Sequence, residues 1–346
     1  MNISGTAVVN VGNRYLMGGS DTPTAPTLPT AIATGSVTNH SGGTLNTDLD
    51  IRVADTFISP TSTATYNLSG SGIINTNVSA GTTGGTVIGR QGTGRFFQTG
   101  GTANFNSPLA VGNRDAANTT TANGLYEISA GDLNVIAPTP TFTQALNIAP
   151  NGTGEFRVVG DDATIDVTGD FAISTTANGN GTLAFELETG DLLSIINVAG
   201  AATFNAGSIL AFDFSNATPT QTTYDVLTAT SISDLGISFS GSGWDYQIVS
   251  GGNGQILQLI ESAVPDQPGD HNEDGVVDAA DYVAWRKLNI EGESGYEDFV
   301  ENFGEPAAPG AGGGGQVPEP GTSVLMLFGM LAIFGCQFPR RGRTVR

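Results

Sequence analysis

The chain has almost no cysteine, one lysine and little charge of either sign. Its single cysteine, Cys336, excludes an internal disulfide, and with it the small stapled scaffolds and any Cys-rich zinc site. Lys287 is the one lysine. Lys and Arg total 12 against 33 Asp and Glu, a formal net charge of −21. That balance repels nucleic acid and anionic lipid, so no nucleic-acid partner is expected. Charged residues are 13% of the chain, well below the roughly 25% of ordinary globular proteins. Helical periodicity is almost absent over residues 8–182. No P-loop, Ser-His-Asp or Cys-His arrangement occurs. The first residues, Met1-Asn2-Ile3-Ser4-Gly5, carry neither a basic segment nor an apolar stretch of the kind that opens an export leader. Val8-Val9-Asn10-Val11-Gly12-Asn13 already reads as the middle of a repeat, so the native start is expected upstream.

What is abundant is glycine, 49 of 346 residues, with Thr, Asn and Ser. Over residues 8–182 these residues punctuate short strands that alternate apolar and polar positions. One unit is a strand that ends in Gly or Ala: Val9-Asn10-Val11-Gly12-Asn13, Thr86-Val87-Ile88-Gly89-Arg90, Leu109-Ala110-Val111-Gly112-Asn113 and Leu146-Asn147-Ile148-Ala149-Pro150. A second is a strand, a tight turn and another strand, as in Arg95-Phe96-Phe97-Gln98-Thr99-Gly100-Gly101-Thr102-Ala103-Asn104-Phe105 and in 36–45, 125–135 and 155–160. Alternation buries one face of each strand, and Gly, Asn and Asp supply corners. A coil of this kind cannot bury its own face, but a stack of coils buries a continuous core. The expected fold class is therefore mainly β: a parallel β-solenoid (β-helix) over 1–182. Residues 183–262, with longer and more apolar strands, are expected to be its β-rich C-terminal cap. The competing arrangement is a sandwich of two packed sheets. The repeats resemble the autotransporter-associated β-helix repeats of bacterial surface proteins.

After a Pro-containing linker at 263–268 comes Gly269-Asp270-His271-Asn272-Glu273-Asp274-Gly275-Val276-Val277-Asp278-Ala279-Ala280-Asp281. Asp270, Asn272, Asp274, Asp278 and Asp281 occupy positions 1, 3, 5, 9 and 12 of a twelve-residue loop, Gly275 the sharp turn at 6, and Val276 the position that offers a carbonyl at 7. Oxygen donors at that spacing suit Ca²⁺, and the carboxylates would repel one another without a cation. The alternative is a solvated acidic turn before a helix. The segment resembles a type I dockerin repeat, which implies a small α-helical calcium-binding module over 269–304 and a cohesin-like partner. The second dockerin loop is missing. Its helix remains, with Tyr296, Phe299, Val300 and Phe303 at helical spacing.

A flexible Gly/Pro/Ala linker at 305–316 leads to Val317-Pro318-Glu319-Pro320-Gly321, an apolar run from Ser323 to Cys336, and Arg340, Arg341, Arg343 and Arg346. This order resembles the PEP-CTERM sorting tail. The resemblance implies a C-terminal transmembrane helix (residues 323–338) held by cytoplasmic arginines, and cleavage near Pro318-Glu319-Pro320 by an exosortase-type enzyme. A plain membrane anchor is the alternative, and either places the preceding residues outside the cytoplasm. The expected protein is an exported, non-enzymatic structural or adhesive component of the cell envelope or extracellular matrix, with extracellular polysaccharide among its expected partners. The competing class is a carbohydrate-active β-helix hydrolase or lyase. Gly160-Asp161-Asp162 lacks the companion motifs such enzymes use and reads as a polar corner. Two or three carboxylates in an exposed groove would favour the enzyme.

Overall fold

The computed structural model describes residues 1–18, 34–55, 62–77, 85–90, 92–113, 122–136, 144–252, 254–262, 269, 277–288, 296 and 299–304. The chain divides into two units, Met1–Ser262 and Ala263–Arg346.

The first unit is a parallel β-solenoid. Each level contributes three arms. In one middle level the first two arms are the two halves of Thr93–Asn106, and the third is Leu109–Val111. First and second arms belong to a 16-stranded sheet, and third arms form an 8-stranded sheet with one strand per level. Along the amide ladders described below, one level follows the next after 28 to 37 residues. Among the described residues the only antiparallel ladders are those of Gly254–Glu261 with Thr223–Ala229 and with Trp244–Gly251. That excludes the sandwich, whose sheets are antiparallel.

Register explains how the repeat builds a core. In the first arms, the position two residues after Gly94, Gly124 and Gly154 faces inward, and the parallel pairing stacks like on like. Tyr66, Phe96, Tyr126 and Phe156 form a column with ring centroids 4.9, 4.6 and 5.2 Å apart and nearly parallel planes. The second arms align Leu45, Ile74, Ala103, Leu133, Ile165 and Ile196. The third arms align Ile88, Val111, Ile148, Ile173 and Phe204. All of these are fully buried and belong to one core.

Polar residues on the outer face repeat in the same way. On the second arms, Asn46 donates to Asn10, Asn75 to Asn46, Asn104 to Asn75 and Asn134 to Asn104, at 2.8–2.9 Å. The column continues through Asp166, which accepts from Asn197. From Asn10 to Asn134 the amide ladder is unbroken, and it pairs side chains that would otherwise compete with the backbone.

The parallel stack runs on past residue 182. Asn180–Glu186 pairs with Ser208–Asp213, and that strand with Ile237–Ser240. The change of character lies later, in the antiparallel hairpin of Trp244–Gly251 and Gly254–Glu261, where Trp244 packs edge-on against Phe212 at 4.9 Å. The grouping of strands also differs from expectation at one place. Val8–Val11 pairs with Thr44–Thr47 and is a second arm, whereas Thr86–Arg90 and Leu109–Val111 are third arms.

In the second unit the described helix is Ala279–Leu288. Among the described residues no helix is long and apolar enough to cross a membrane. The sorting tail and membrane segment, 317–346, lie outside the described residues, as does the linker at 305–316.

Candidate functional site

The outer face of the first arms is not uniform. From Asn39 and Asn67, whose amides are hydrogen-bonded at 2.8 Å, the column passes to Phe97, Glu127 and Arg157. The neighbouring column places Arg95, Leu125, Glu155 and Thr182 side by side. These two columns line a groove of about 490 Å³ that crosses four successive levels. A second depression, of about 320 Å³, shares Glu155, Arg157 and Thr182 and extends to Asp213 and Ser240.

Arg157 is the electrostatic centre of this face. Its Nη2 donates to Glu155 Oε1 at 2.6 Å and its Nε to the same oxygen at 2.8 Å. Its Nη1 lies 3.5 Å from Glu127 and 3.8 Å from Glu186. One guanidinium thus faces three carboxylates from three levels. Partial burial, the largest single influence, works against its charge, but the bond to Glu155 and the three carboxylates together hold its pKa up. Partial burial raises the Glu127 carboxyl above its ordinary value. Arg157 opposes this shift, while Glu186 and Glu155 add to it.

No short motif in the sequence marks this cluster. Glu127, Glu155, Arg157 and Glu186 are separated by as much as two repeats, and the arginines look scattered along the chain. The signal that finds them is the repeat register itself, because writing residues 123–128 above residues 153–158 places Glu127 over Arg157. By contrast Asp161 and Asp162 are exposed at the corner between two arms, beside Gly160 with φ of 64°.

A second charged group is buried on and beside the third arms Ile51–Asp55 and Thr86–Arg90. Asp50 and Asp55 have no exposed surface, Arg14 pairs with Asp50, and Arg52 donates to Asp55 at 2.7 Å, with Arg90 at 3.3 Å from the same carboxylate. Opposite charges held this deeply are frame contacts, whose loss would strand a buried ion.

Of the six proposed calcium ligands, Asp270, Asn272, Asp274 and Val276 lie outside the described residues. Asp278 and Asp281 sit together at the start of the helix. Asp278 Oδ1 accepts from Ala280 N at 2.7 Å, and Asp281 Oδ2 accepts from Asp278 N at 2.7 Å. This is a variant of the capping box, in which Asp281 at N3 reaches back to the N-cap amide while Asp278 accepts from N2 rather than N3. It fixes both carboxylates at the last turn of the loop, and their oxygen-only donor set fits a hard cation. Among the described residues no group of three or more His, Cys, Asp or Glu could hold a metal ion. Beyond the capping box, Tyr282 contacts Trp285 and Phe299 with ring centroids 5.8 Å apart in each pair, which assigns it to packing between the two helical segments.

Comparison of the chain with family models, with curated proteins and with solved structures found no match to any of them.

Proposed function

We propose that the chain is an exported structural or adhesive protein of the cell surface or of an exopolysaccharide matrix, and that it is not an enzyme. The observation that supports this most is the way its polar side chains are used. The amide ladder from Asn10 to Asn134 and the Arg157 cluster link level to level, as a surface-presenting scaffold requires. In this reading a dockerin-like loop of Asp270, Asn272, Asp274, Val276, Asp278 and Asp281 binds Ca²⁺ and presents its module to a cohesin-like protein or to matrix. The PEP-CTERM tail holds the chain in the membrane through residues 323–338 until an exosortase-type enzyme cuts near Pro318-Glu319-Pro320. The test is mass spectrometry of the protein recovered from envelope or medium. Mature chains should end near Pro320, and recovery of peptides running through Arg346 would reduce the tail to a plain anchor.

The second reading, a carbohydrate-active β-helix enzyme, is favoured by Glu127, Glu155 and Glu186 converging on one exposed groove. A partly buried glutamic acid beside two further carboxyl groups suits a proton donor at a glycosidic oxygen. Release of shortened products from a polysaccharide, abolished by Glu127→Gln, would replace the structural reading with this one.

A further inference from the structure

We propose that the groove over the first arms binds a neutral glycan chain laid along the solenoid axis, with Phe97 and Leu125 as its apolar floor. The proposal rests on the matrix-associated reading above and adds a site and a ligand class to it. Phe97 and Leu125 lie on adjacent levels of an outer face whose other levels carry Asn67, Thr65, Thr182 and Ala184, with Val37 and Ile209 further along the same column and outside the groove's lining. An aromatic ring and a leucine that are half-buried rather than covered offer a flat apolar step for the C–H face of a sugar ring. Hydrogen-bonding groups flank it on both sides: exposed Arg95 on the level of Phe97, and Glu127, Glu155 and Arg157 on the following levels. Fixed carboxylates accept from sugar hydroxyls, and the guanidinium donates to ring and hydroxyl oxygens.

Geometry and charge narrow the ligand. Levels recur at about 4.8 Å, close to the length of one hexopyranose unit, so an extended chain crossing the strands meets an equivalent row of groups at each ring. The groove continues from Thr93 to Ser240 through its two depressions, long enough for several rings. A polyanion is disfavoured there. Glu127, Glu155, Glu186 and Asp213 outnumber Arg95 and Arg157, and the whole chain carries a charge of −21.

The experiment is calorimetric titration of the full chain with neutral β-1,4-linked hexasaccharides of glucose, mannose and xylose, and with polygalacturonate. Saturable binding to at least one neutral probe is expected, with none to polygalacturonate. Phe97→Ala and, separately, Leu125→Asp should weaken it by about tenfold or more, the equivalent of ~1.4 kcal/mol, while leaving the circular dichroism spectrum unchanged. Absence of binding to every neutral probe, preference for polygalacturonate, or binding indifferent to both substitutions would overturn the site. Each of those results leaves the sorting and surface reading intact, since that reading is decided by the mature C-terminus. Cleavage of a bound probe, lost in Phe97→Ala, would uphold the groove and overturn only the non-enzymatic role.

Discussion

His40 shows how much one residue's role depends on the level above it. By sequence it is a histidine beside two glycines in a turn. In the fold it ends the strand Thr34–His40 with no exposed surface. The carbonyl of Gly43, 3.1 Å from Nε2, can only accept, so Nε2 carries the proton, and Nδ1 accepts from the Tyr66 hydroxyl at 2.9 Å. Burial lowers the pKa of His40 below the ordinary 6.5, and the bond to Gly43 offsets only part of that. The unfolded chain therefore takes up a proton at a pH where the folded chain does not, and stability rises with pH in that window. The contribution is complete above about 6.5 and is lost as pH falls from there toward the depressed folded value. Urea midpoints at pH 7.5 and 5.5 should drop more for the native protein than for His40→Gln, whose amide keeps a donor and an acceptor. Equal drops would mean that His40 is solvated. The same column holds a fully satisfied neutral network: Tyr126 donates to Gln98 at 2.6 Å, and Gln98 donates to the Asp132 carbonyl at 2.9 Å. That is why a buried glutamine is tolerated between Leu68 and Ile128.

At the scale of the arm, two devices hold each level to the next: an interior column and a backbone corner. Phe96 is stacked between Tyr66 and Tyr126, so its removal leaves a gap that neither neighbour can fill. Phe96→Ala should cost ~3–5 kcal/mol. The corner lies at the end of the third arm, where Ala54, Gly89, Gly112, Ala149 and Ser174 all have positive φ. At Gly112 the φ is +72° and a Cβ would lie 1.9 Å from the Thr153 carbonyl oxygen. Gly112→Ala adds the ~1–2 kcal/mol of left-handed strain to that clash, and should also lower the urea midpoint strongly. An unchanged midpoint in either variant would refute the register drawn here. The strands, their alternation and the Gly-or-Ala corner were legible in the sequence, because each is a local pattern. The assignment of Val9-Asn10-Val11-Gly12 to the same unit as Leu109-Ala110-Val111-Gly112 was not. Both are apolar-polar-apolar-Gly, and only hydrogen-bonded partners distinguish a second arm from a third. The Arg157 cluster was hidden for a related reason. Glu127 and Arg157, like Phe97 before them, stand one repeat apart and form no local motif, so only pairing between levels brings them face to face.

At the scale of the whole molecule, the two tryptophans fall one to a unit, and this makes the proposed division of labour measurable. Trp244 belongs to the closing hairpin of the solenoid, where Phe212, Tyr224 and Phe214 surround it. Trp285 lies on the helix that begins at the Asp278–Asp281 cap, 5.8 Å from the Tyr282 ring and 5.4 Å from that of Tyr296. In a solenoid each level leans on its neighbours, so stability propagates along the stack and unfolding of the closing level exposes the next. The helix leans instead on the aromatic rings of Tyr296 and Phe299. Its N-terminus depends on two carboxylates whose repulsion a bound cation would relieve, and metal binding to such a loop is coupled to its folding. Two single-tryptophan variants separate the cases. In Trp244→Phe, removal of Ca²⁺ by a chelator should shift the emission of Trp285 to the red, and returning Ca²⁺ should restore it with saturation on the order of 10⁻⁶ to 10⁻³ M. In Trp285→Phe, the emission of Trp244 should ignore the chelator and respond to urea alone. Adding Asp274→Ala to the first variant should abolish its calcium response. If Trp285 is unmoved by Ca²⁺ in the otherwise native loop, the acidic segment is a solvated turn and the helix is held by its capping box alone. If Trp244 moves instead, calcium acts on the solenoid, through residues other than the six assigned to the loop.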